Sequence, residues 1–243
     1  MPAPWVIAHR GASGTAPENT LAAFRRAVEL GARFIETDLH LSRDGEIVAI
    51  HDPTLDRTTN GHGPVMAHSL KELRDLDAGS WFAPEFAKEK LPTLDEILSF
   101  AGTADVNLYL EIKSQSGYGI ERALVSALRG RAEAMRVVVF SFDPHALELV
   151  RRLDRVTMTG LLWDDDPAEA VERAMHIGAR QIAPRGDRIS RELVAEAHTN
   201  GLQVVTWTIN EPALIRALAS AGVDGIMSDY PDRIVSALNE KKL

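Results

Sequence analysis

The chain has 243 residues, of which 45% are hydrophobic and 26% charged, and a formal net charge of −8 at pH 7. These values are typical of a folded globular protein with a sizeable core, and the acidic balance argues against a nucleic-acid partner. The absence of cysteine excludes thiolate metal sites, disulfides and cysteine nucleophiles. Without a recognisable signal peptide or an apolar stretch near the ~20 residues of a membrane helix, we expect a cytoplasmic protein with no stable membrane insertion.

Short apolar runs alternate with helical patterns from the start of the chain. Strands are predicted at residues 5–8, 34–41 and 46–50, and Asn19 is expected to cap a helix that ends at Gly31. Residues 52–92 interrupt the alternation with several Pro and Gly residues. We interpret them as an insertion, a lid or small subdomain, with little regular structure beyond a short helix near 69–76.

The alternation resumes after residue 92. Strands are predicted at 106–113, 136–140, 157–162, 180–183, 203–207 and 225–227, and helices at 93–101, 120–129, 144–153, 167–177, 191–200, 212–221 and 231–238. With the strands at 5–8 and 34–41 this gives eight βα units, which predicts an α/β fold of the (β/α)₈ TIM-barrel type. A doubly wound open sheet is the alternative, but the segment after the first strand matches neither standard phosphate-loop pattern. We therefore predict one barrel domain over 1–243 with an insertion at about 52–92.

Three carboxylates are expected at one mouth of this barrel. Glu36 and Asp38 lie two residues apart on one strand and so share a face, and Glu111 ends the next barrel strand. Because such a cluster repels itself, we expect a divalent cation with oxygen ligands, Mg²⁺ or Ca²⁺, between which the sequence does not distinguish. The alternative, a metal-free network of ion pairs with Lys and Arg, is less favoured.

Two histidines flank these carboxylates at strand ends. His9 and His51 can act as general acid and general base, because imidazole titrates near neutral pH, although the pattern does not assign the two roles. Arg10 and Lys113 can neutralise the oxygens of a phosphate group. The combination predicts cleavage of a phosphate ester.

Other side chains carry weaker signals. Glu18 is a loop charge near a helix start, a partner for Arg10 or a partner for a ligand hydroxyl. Trp207 and Phe142 either wall a substrate pocket or pack in the core. His40 shares a strand face with Asp38. The remaining histidines are expected to be superficial or structural: His62, His68, His145, His176 and His198.

The ordered motifs resemble the glycerophosphodiester phosphodiesterase family over nearly the whole chain. They are His-Arg-Gly at 9–11, Pro-Glu-Asn-Thr at 17–20, Glu-x-Asp at 36–38, Asp-Gly at 44–45, His-Asp at 51–52, Arg-Thr-Thr at 57–59, Glu-Ile-Lys at 111–113, Ser-Phe at 141–142, Trp-Thr-Ile-Asn at 207–210 and Asp-Tyr-Pro at 229–231. The resemblance implies metal-dependent hydrolysis of a glycerophosphodiester to sn-glycerol 3-phosphate and an alcohol. By matching position it implies metal ligands at Glu36, Asp38 and Glu111, an acid/base pair at His9 and His51, and phosphate ligands at Arg10 and Lys113.

Several functions are weighed against these residues. The leading one acts on small diesters such as glycerophosphocholine, and the second is a lysophospholipase D-like reaction on lipids, for which Trp81, Phe82 and Phe86 could offer an apolar surface. A barrel aldolase with a Schiff base on Lys113 leaves the two histidines without a purpose. A non-catalytic phosphate-binding barrel would be expected to lack one of them. The alcohol released, the nucleophile (water or a substrate hydroxyl) and the oligomeric state do not follow from the sequence.

Overall fold

The computed structural model describes residues 2–113 and 119–239, so residues 1, 114–118 and 240–243 of the predicted domain lie outside the described part. Within the described residues, eight parallel strands close into a barrel, because the first strand pairs with both the second and the last. The predicted (β/α)₈ TIM barrel is therefore confirmed.

The strands and helices follow the predicted order closely. The strands are β1 Trp5–Ala8, β2 Phe34–Leu41, β3 Ile47–Ala49, β4 Asn107–Ile112, β5 Val137–Ser141, β6 Met158–Trp163, β7 Gln181–Pro184, β8 Gln203–Thr206 and β9 Gly225–Ser228. The helices are α1 Leu21–Glu29, α2 Leu70–Asp75, α3 Leu94–Ala104, α4 Ile120–Leu128, α5 Pro144–Leu153, α6 Pro167–Ile177, α7 Arg191–Thr199, α8 Pro212–Ala221 and α9 Pro231–Asn239. Short β3 lies antiparallel to β2 and is an addition to the barrel.

Strand alternation divides the buried side chains into two layers. On β4, Leu108 and Leu110 pack outward against the helices, whereas Tyr109 packs inside the barrel with Phe140 and other inward side chains. The barrel interior is therefore a filled core, as expected for eight strands. The inward positions at the carboxyl ends of the strands are left for polar side chains.

The starts and ends of the helices follow local chemistry. Thr93 caps α3 in a capping box with Glu96, and Gly178 ends α6 in the left-handed conformation at φ 69°. The prediction that Asn19 caps the first helix is wrong. Thr20 caps α1, with its hydroxyl accepting a hydrogen bond from the Ala23 N–H at 3.2 Å.

The segment between β3 and α3 forms a small core of its own beside the barrel. It contains α2, capped by Ser69, and two 3₁₀ turns at Val65–Ala67 and Pro84–Phe86. The buried apolar side chains that hold it together are Val48, Ile50, Leu55, Val65, Leu73, Ala78 and Leu91. The predicted short helix near 69–76 thus matches α2, and a continuous apolar contact joins the segment to β3.

Membrane spans were expected to be absent. Across residues 2–113 and 119–239, no helix has the length and hydropathy that crossing a bilayer requires.

Candidate active site

The three predicted carboxylates meet at the carboxyl end of the barrel. Asp38 and Glu111 are neighbours in the β2–β4 ladder, and Glu36 shares a strand face with Asp38. One oxygen from each of Glu36, Asp38 and Glu111 lies within 4.8 Å of the others. All three side chains are buried, so their charges are poorly screened by water.

Burial and mutual repulsion perturb the titration of this cluster. Burial, Asp38 and Glu111 raise the pKa of Glu36 well above its usual range, and burial and Asp38 raise the pKa of Glu111 to about 7. Asp38 is also desolvated, but the charges of Arg10 and Lys113 hold its pKa below the usual range. Asp38 is therefore the carboxylate of the cluster that most firmly keeps its negative charge.

The donor set suits a hard divalent cation. Glu36 Oε1 and Asp38 Oδ1 are buried and accept no hydrogen bond in the described structure. Orphaned carboxylate oxygens beside repelling carboxylates are the arrangement that a Mg²⁺ or Ca²⁺ ion would relieve, because both ions prefer oxygen ligands. The residues present thus fit a divalent cation, without specifying which one.

The backbone after β1 aims Arg10 into this cluster. Arg10 has a left-handed φ of 55°, and its N–H donates to Glu36 Oε2 at 2.8 Å. Its guanidinium Nε lies 3.1 Å from Asp38 Oδ2, and Nη1 donates to Glu18 Oε1 at 3.0 Å. Glu18 is therefore a partner of Arg10, one of the roles expected for it.

Gly11 permits this approach. Its φ is +80°, and a Cβ at this position would lie 2.7 Å from the Cβ of Ala23 on α1. Only glycine fits both the conformation and the close packing of this turn against the helix. The Arg-Gly pair seen in the sequence thus has a geometric cause.

Each predicted catalytic histidine is held by an aspartate. His9 Nδ1 lies 2.7 Å from Asp229 Oδ1, and His51 Nδ1 lies 2.7 Å from Asp52 Oδ1. A carboxylate that accepts the Nδ1 proton fixes the ring and leaves Nε2 for proton transfer. Burial lowers the pKa of His51, which favours its neutral form near pH 7.

The aspartate behind His9 is itself held in place. Asp229 accepts hydrogen bonds from the Ser13 hydroxyl at 3.0 Å and the Asn210 amide at 2.7 Å. Burial alone would raise its pKa, but these bonds and the one to His9 lower the pKa to about 2. Sequence reasoning placed Asp229 and Asn210 only within motifs and assigned them no role. The pairing of Asp229 with His9 depends on barrel closure across 220 residues.

Asn19 is a further residue whose role the sequence analysis missed. Its backbone is left-handed at φ 57°, and its buried amide donates to Asp38 Oδ2 at 2.8 Å. Its Oδ1 accepts from the Thr37 hydroxyl at 2.6 Å and from the Asp38 N–H at 3.2 Å. Asn19 therefore orients a carboxylate of the cluster instead of capping a helix, two roles that the same motif fits equally well.

These side chains surround one cavity of about 140 Å³. Its walls are His9, Arg10, Glu36, His51, Glu111, Lys113, Phe140, Phe142, Leu162, Trp207, Thr208 and Met227. Lys113 Nζ donates to Glu111 Oε1 at 2.9 Å, and both of these groups face the cavity. Every predicted site residue except the deeply buried Asp38 therefore lines a single pocket.

Two aromatic rings form one wall of the cavity. Trp207 and Phe142 are perpendicular, with ring centroids 5.3 Å apart, and the Trp207 indole N–H donates to the Ala183 carbonyl at 2.7 Å. This hydrogen bond fixes the indole beside the cavity that it lines. The five histidines expected to be superficial or structural do not line it, and His40 instead hydrogen-bonds to the His51 carbonyl at 3.1 Å.

A wider groove of about 820 Å³ lies between α5 and α6 on the outside of the barrel. Its charged side chains are largely exposed, and its lining contains none of the predicted site residues. The chemistry therefore selects the smaller cavity.

Known proteins identify the family. The Glycerophosphoryl diester phosphodiesterase family matches residues 9–233. The glycerophosphodiester phosphodiesterase of Caldanaerobacter subterraneus subsp. tengcongensis is 39% identical over 237 residues, which cover 97% of this chain and 98% of that protein. The chain therefore belongs to the glycerophosphoryl diester phosphodiesterase family, and the predicted enzyme class, a phosphoric diester hydrolase, is confirmed.

Solved structures of phosphodiesterases are similar to this chain over nearly its whole length. An Oleispira antarctica phosphodiesterase in complex with the product sn-glycerol-3-phosphate is 34% identical, with a TM-score of 0.92 and coverage of 98% of this chain and 97% of that one. The glycerophosphodiester phosphodiesterase from Agrobacterium tumefaciens str. C58 is 29% identical, with a TM-score of 0.86 and coverage of 96% and 99%. Both likenesses span the barrel and the segment inserted after β3.

Proposed function

We propose that this protein hydrolyses small glycerophosphodiesters to sn-glycerol 3-phosphate and an alcohol, with a divalent cation held by Glu36, Asp38 and Glu111. The observation that carries the proposal is the pair of aspartate-bound imidazoles beside a buried carboxylate triad in one cavity. The Oleispira antarctica relative, whose structure contains sn-glycerol-3-phosphate, supports the same product for this chain.

The side chains divide the chemistry in the proposed reaction. Arg10 and Lys113 bind the non-bridging phosphate oxygens, and a cation bound to the triad would add Lewis-acid stabilisation of the charge on those oxygens. One of His9 and His51 removes the proton from the attacking group at its Nε2, and the other donates a proton to the leaving alkoxide. Attack by water gives sn-glycerol 3-phosphate directly, whereas attack by a substrate hydroxyl gives a cyclic phosphate that water opens in a second step. Trp207 and Phe142 bind the carbon skeleton of the substrate and keep water from one side of it.

The size of the cavity favours small diesters over lipids. The cavity volume of about 140 Å³ is below the roughly 300–1,000 Å³ usual for pockets that hold larger ligands, so an acyl chain would need further apolar space. Trp81, Phe82 and Phe86 pack on one another with centroid distances of 5.6 Å, away from the cavity lining. The lipid alternative therefore has less support.

The state of Lys113 argues against the aldolase alternative. Its Nζ lies 2.9 Å from Glu111 Oε1 and 3.7 Å from Asp38 Oδ1, and these carboxylates raise its pKa against the effect of burial. A protonated ammonium group is a poor nucleophile, so Schiff-base formation is disfavoured. The same charge suits a ligand of phosphate.

The test measures release of sn-glycerol 3-phosphate from glycerophosphocholine, before and after EDTA treatment and after readdition of Mg²⁺ or Ca²⁺. His9→Ala and His51→Ala are compared with His145→Ala, which alters an exposed histidine on α5. We expect loss of activity on chelation and in the first two variants only, by roughly 100-fold or more. Full activity after chelation, or in both active-site variants, would contradict the assigned roles.

A further inference from the structure

A continuous chain of hydrogen bonds between charged side chains connects two arms of the site, the acid/base arm of His51 and Asp52 and the phosphate-binding arm of Arg10 and Glu18. It runs from the His51 imidazole to Asp52, on to Arg57, then to Glu18 and finally to Arg10. Arg57 is the central member, and it comes from the inserted segment rather than from a barrel strand. It does not line the cavity, so any effect on the reaction passes through its partners.

Arg57 makes two-point contacts on both sides. Its Nε and Nη2 donate to the two oxygens of Asp52 at 2.8 and 3.0 Å. Its Nη1 and Nη2 donate to the two oxygens of Glu18, each at 2.8 Å. One guanidinium thus fixes the planes of two carboxylates, a geometry that the single ammonium group of lysine does not reproduce.

The turn that carries Arg57 is firmly attached to the core of the inserted segment. Leu55 is fully buried there, and its carbonyl accepts hydrogen bonds from both the N–H of Thr59 at 3.1 Å and its hydroxyl at 2.7 Å. Thr58 and Thr59 are also buried. The backbone on both sides of Arg57 is therefore fixed, and the side chain extends from a rigid base.

Exposed ion pairs usually contribute little to stability, but the pairs of Arg57 with Glu18 and Asp52 differ in two respects. The Arg57 side chain is 43% exposed, whereas Glu18 is only 12% exposed and Asp52 25%. The hydrogen bonds from Arg57 are the largest cause of the lowered pKa of Asp52, and they also help to hold the pKa of Glu18 down against burial. Loss of Arg57 would leave two partly buried carboxylates with incomplete pairing.

We propose that Arg57 is a positioning residue for the reaction, holding Asp52 behind His51 and Glu18 behind Arg10 so that the acid/base group and the phosphate ligand keep a fixed relative placement. This inference rests on the proposed function and gives the inserted segment a role as a rigid support of the active site. Asp52 sets the orientation and tautomer of His51. Glu18 sets the direction from which the Arg10 guanidinium approaches phosphate.

The two arms have different kinetic signatures. Asp52→Asn removes the carboxylate that orients His51 and leaves the hydrogen bonds from Arg57 to Glu18 in place, so we expect mainly a lower kcat. Glu18→Gln removes the carboxylate partner of Arg10 and leaves the hydrogen bonds from Arg57 to Asp52 in place, so we expect mainly a higher KM. Arg57→Gln should do both, lowering kcat/KM roughly 10–100-fold, the usual effect of losing a residue that orients a functional group. The double variants with Arg57→Gln should be less than additive, because the residues act as one unit.

A matched control and a rescue experiment separate positioning from general stabilisation. Arg25→Gln removes another arginine that joins the barrel to the inserted segment, through Glu89 at 3.1 Å, away from the cavity. It should leave kcat and KM unchanged. Arg57→Ala should regain part of its activity with millimolar ethylguanidinium, since the vacated position is open to solvent, whereas Arg25→Ala should not respond.

The outcomes distinguish this inference from the function on which it rests. Wild-type protein that releases no sn-glycerol 3-phosphate would refute the proposed function itself. Active wild type together with an Arg57→Gln variant of unchanged melting temperature, kcat and KM would refute the positioning role alone. The positioning role would also be refuted if the variants lost activity only in proportion to a lower melting temperature, with no difference between their effects on kcat and KM and no rescue by ethylguanidinium.

Discussion

Glu111→Gln should stabilise the metal-free protein at alkaline pH while removing its response to metal. Glu111 is buried, and burial and the charge of Asp38 raise its pKa to about 7 from an ordinary value of 4.5. A carboxyl whose pKa is raised by folding favours the folded state below its unfolded pKa, and this contribution is lost as the pH rises through the folded value. Well above pH 7, the difference corresponds to about 3 kcal/mol.

The glutamine side chain has nearly the same shape and carries no charge to desolvate. In EDTA at pH 8 we therefore expect Glu111→Gln to unfold at a higher temperature than wild type, by roughly 6 °C for a domain of this size. At pH 5 the folded wild type is itself protonated at this position. The advantage of the variant should then fall below about 1 kcal/mol.

Thermal unfolding followed by circular dichroism measures both effects, with and without added Mg²⁺ or Ca²⁺. Glu85→Gln, at an exposed position in the inserted segment, controls for the general loss of a negative charge. Metal should raise the melting temperature of wild type and of the control but not that of Glu111→Gln. A Glu111→Gln variant less stable than wild type at pH 8, or equally responsive to metal, would refute this account of the cluster.

Three further predictions concern residues around the cluster. Asn19→Gly keeps the left-handed backbone but leaves the buried Asp38 N–H and Thr37 hydroxyl without their acceptor. It should therefore lower the free energy of unfolding in urea by about 2 kcal/mol. A change below about 0.5 kcal/mol, the size of a neutral surface substitution, would contradict this. Asp229→Asn should have a free energy of unfolding about 2 kcal/mol below that of wild type at pH 7. This difference should disappear as the pH falls from about 4 to about 2, because folding lowers the pKa of Asp229. A difference that does not depend on pH would show that the lowered pKa is not its cause. Gly11→Ala should destabilise more than Gly45→Ala, by about 2 kcal/mol in the same unfolding assay, because both have positive φ but only Gly11 has a helix within 3 Å of the new Cβ. Equal losses would show that the contact relaxes.

Features with a local signal in the sequence were predictable. The period of two in β4 places Glu111 on the inward face, and the same rule brings Glu36 and Asp38 together, so the triad follows from alternation and parallel strand order alone. The glycine-terminated helices likewise marked the αβ units. The cluster was predictable because its members occupy the most regular part of the fold.

Features that depend on barrel closure or on irregular segments were not predictable from the sequence. Asp229 reaches His9 only because β9 pairs with β1, and nothing near either residue indicates that partner. Arg57 meets Glu18 between two loops, where no periodicity determines direction. Asn19 precedes a helix, and its short amide side chain can either cap that helix or hydrogen-bond to a carboxylate. The local motif therefore favoured the cap, which is not the role that Asn19 has.

Charge balance links the triad to the substrate under the proposed function. The cavity brings three carboxylates against two permanent cations, Arg10 and Lys113, and both cations are already paired with carboxylates. An anionic diester would therefore meet a net negative site unless protons or a divalent cation neutralise the cluster. The pKa values of Glu36 and Glu111 are both raised, so protonation of either one neutralises the site only while the pH stays below that pKa, about 7 for Glu111. A divalent cation would neutralise the site at higher pH as well and leave it net positive. The same ion that relieves the buried repulsion would thus release Arg10 and Lys113 to bind phosphate.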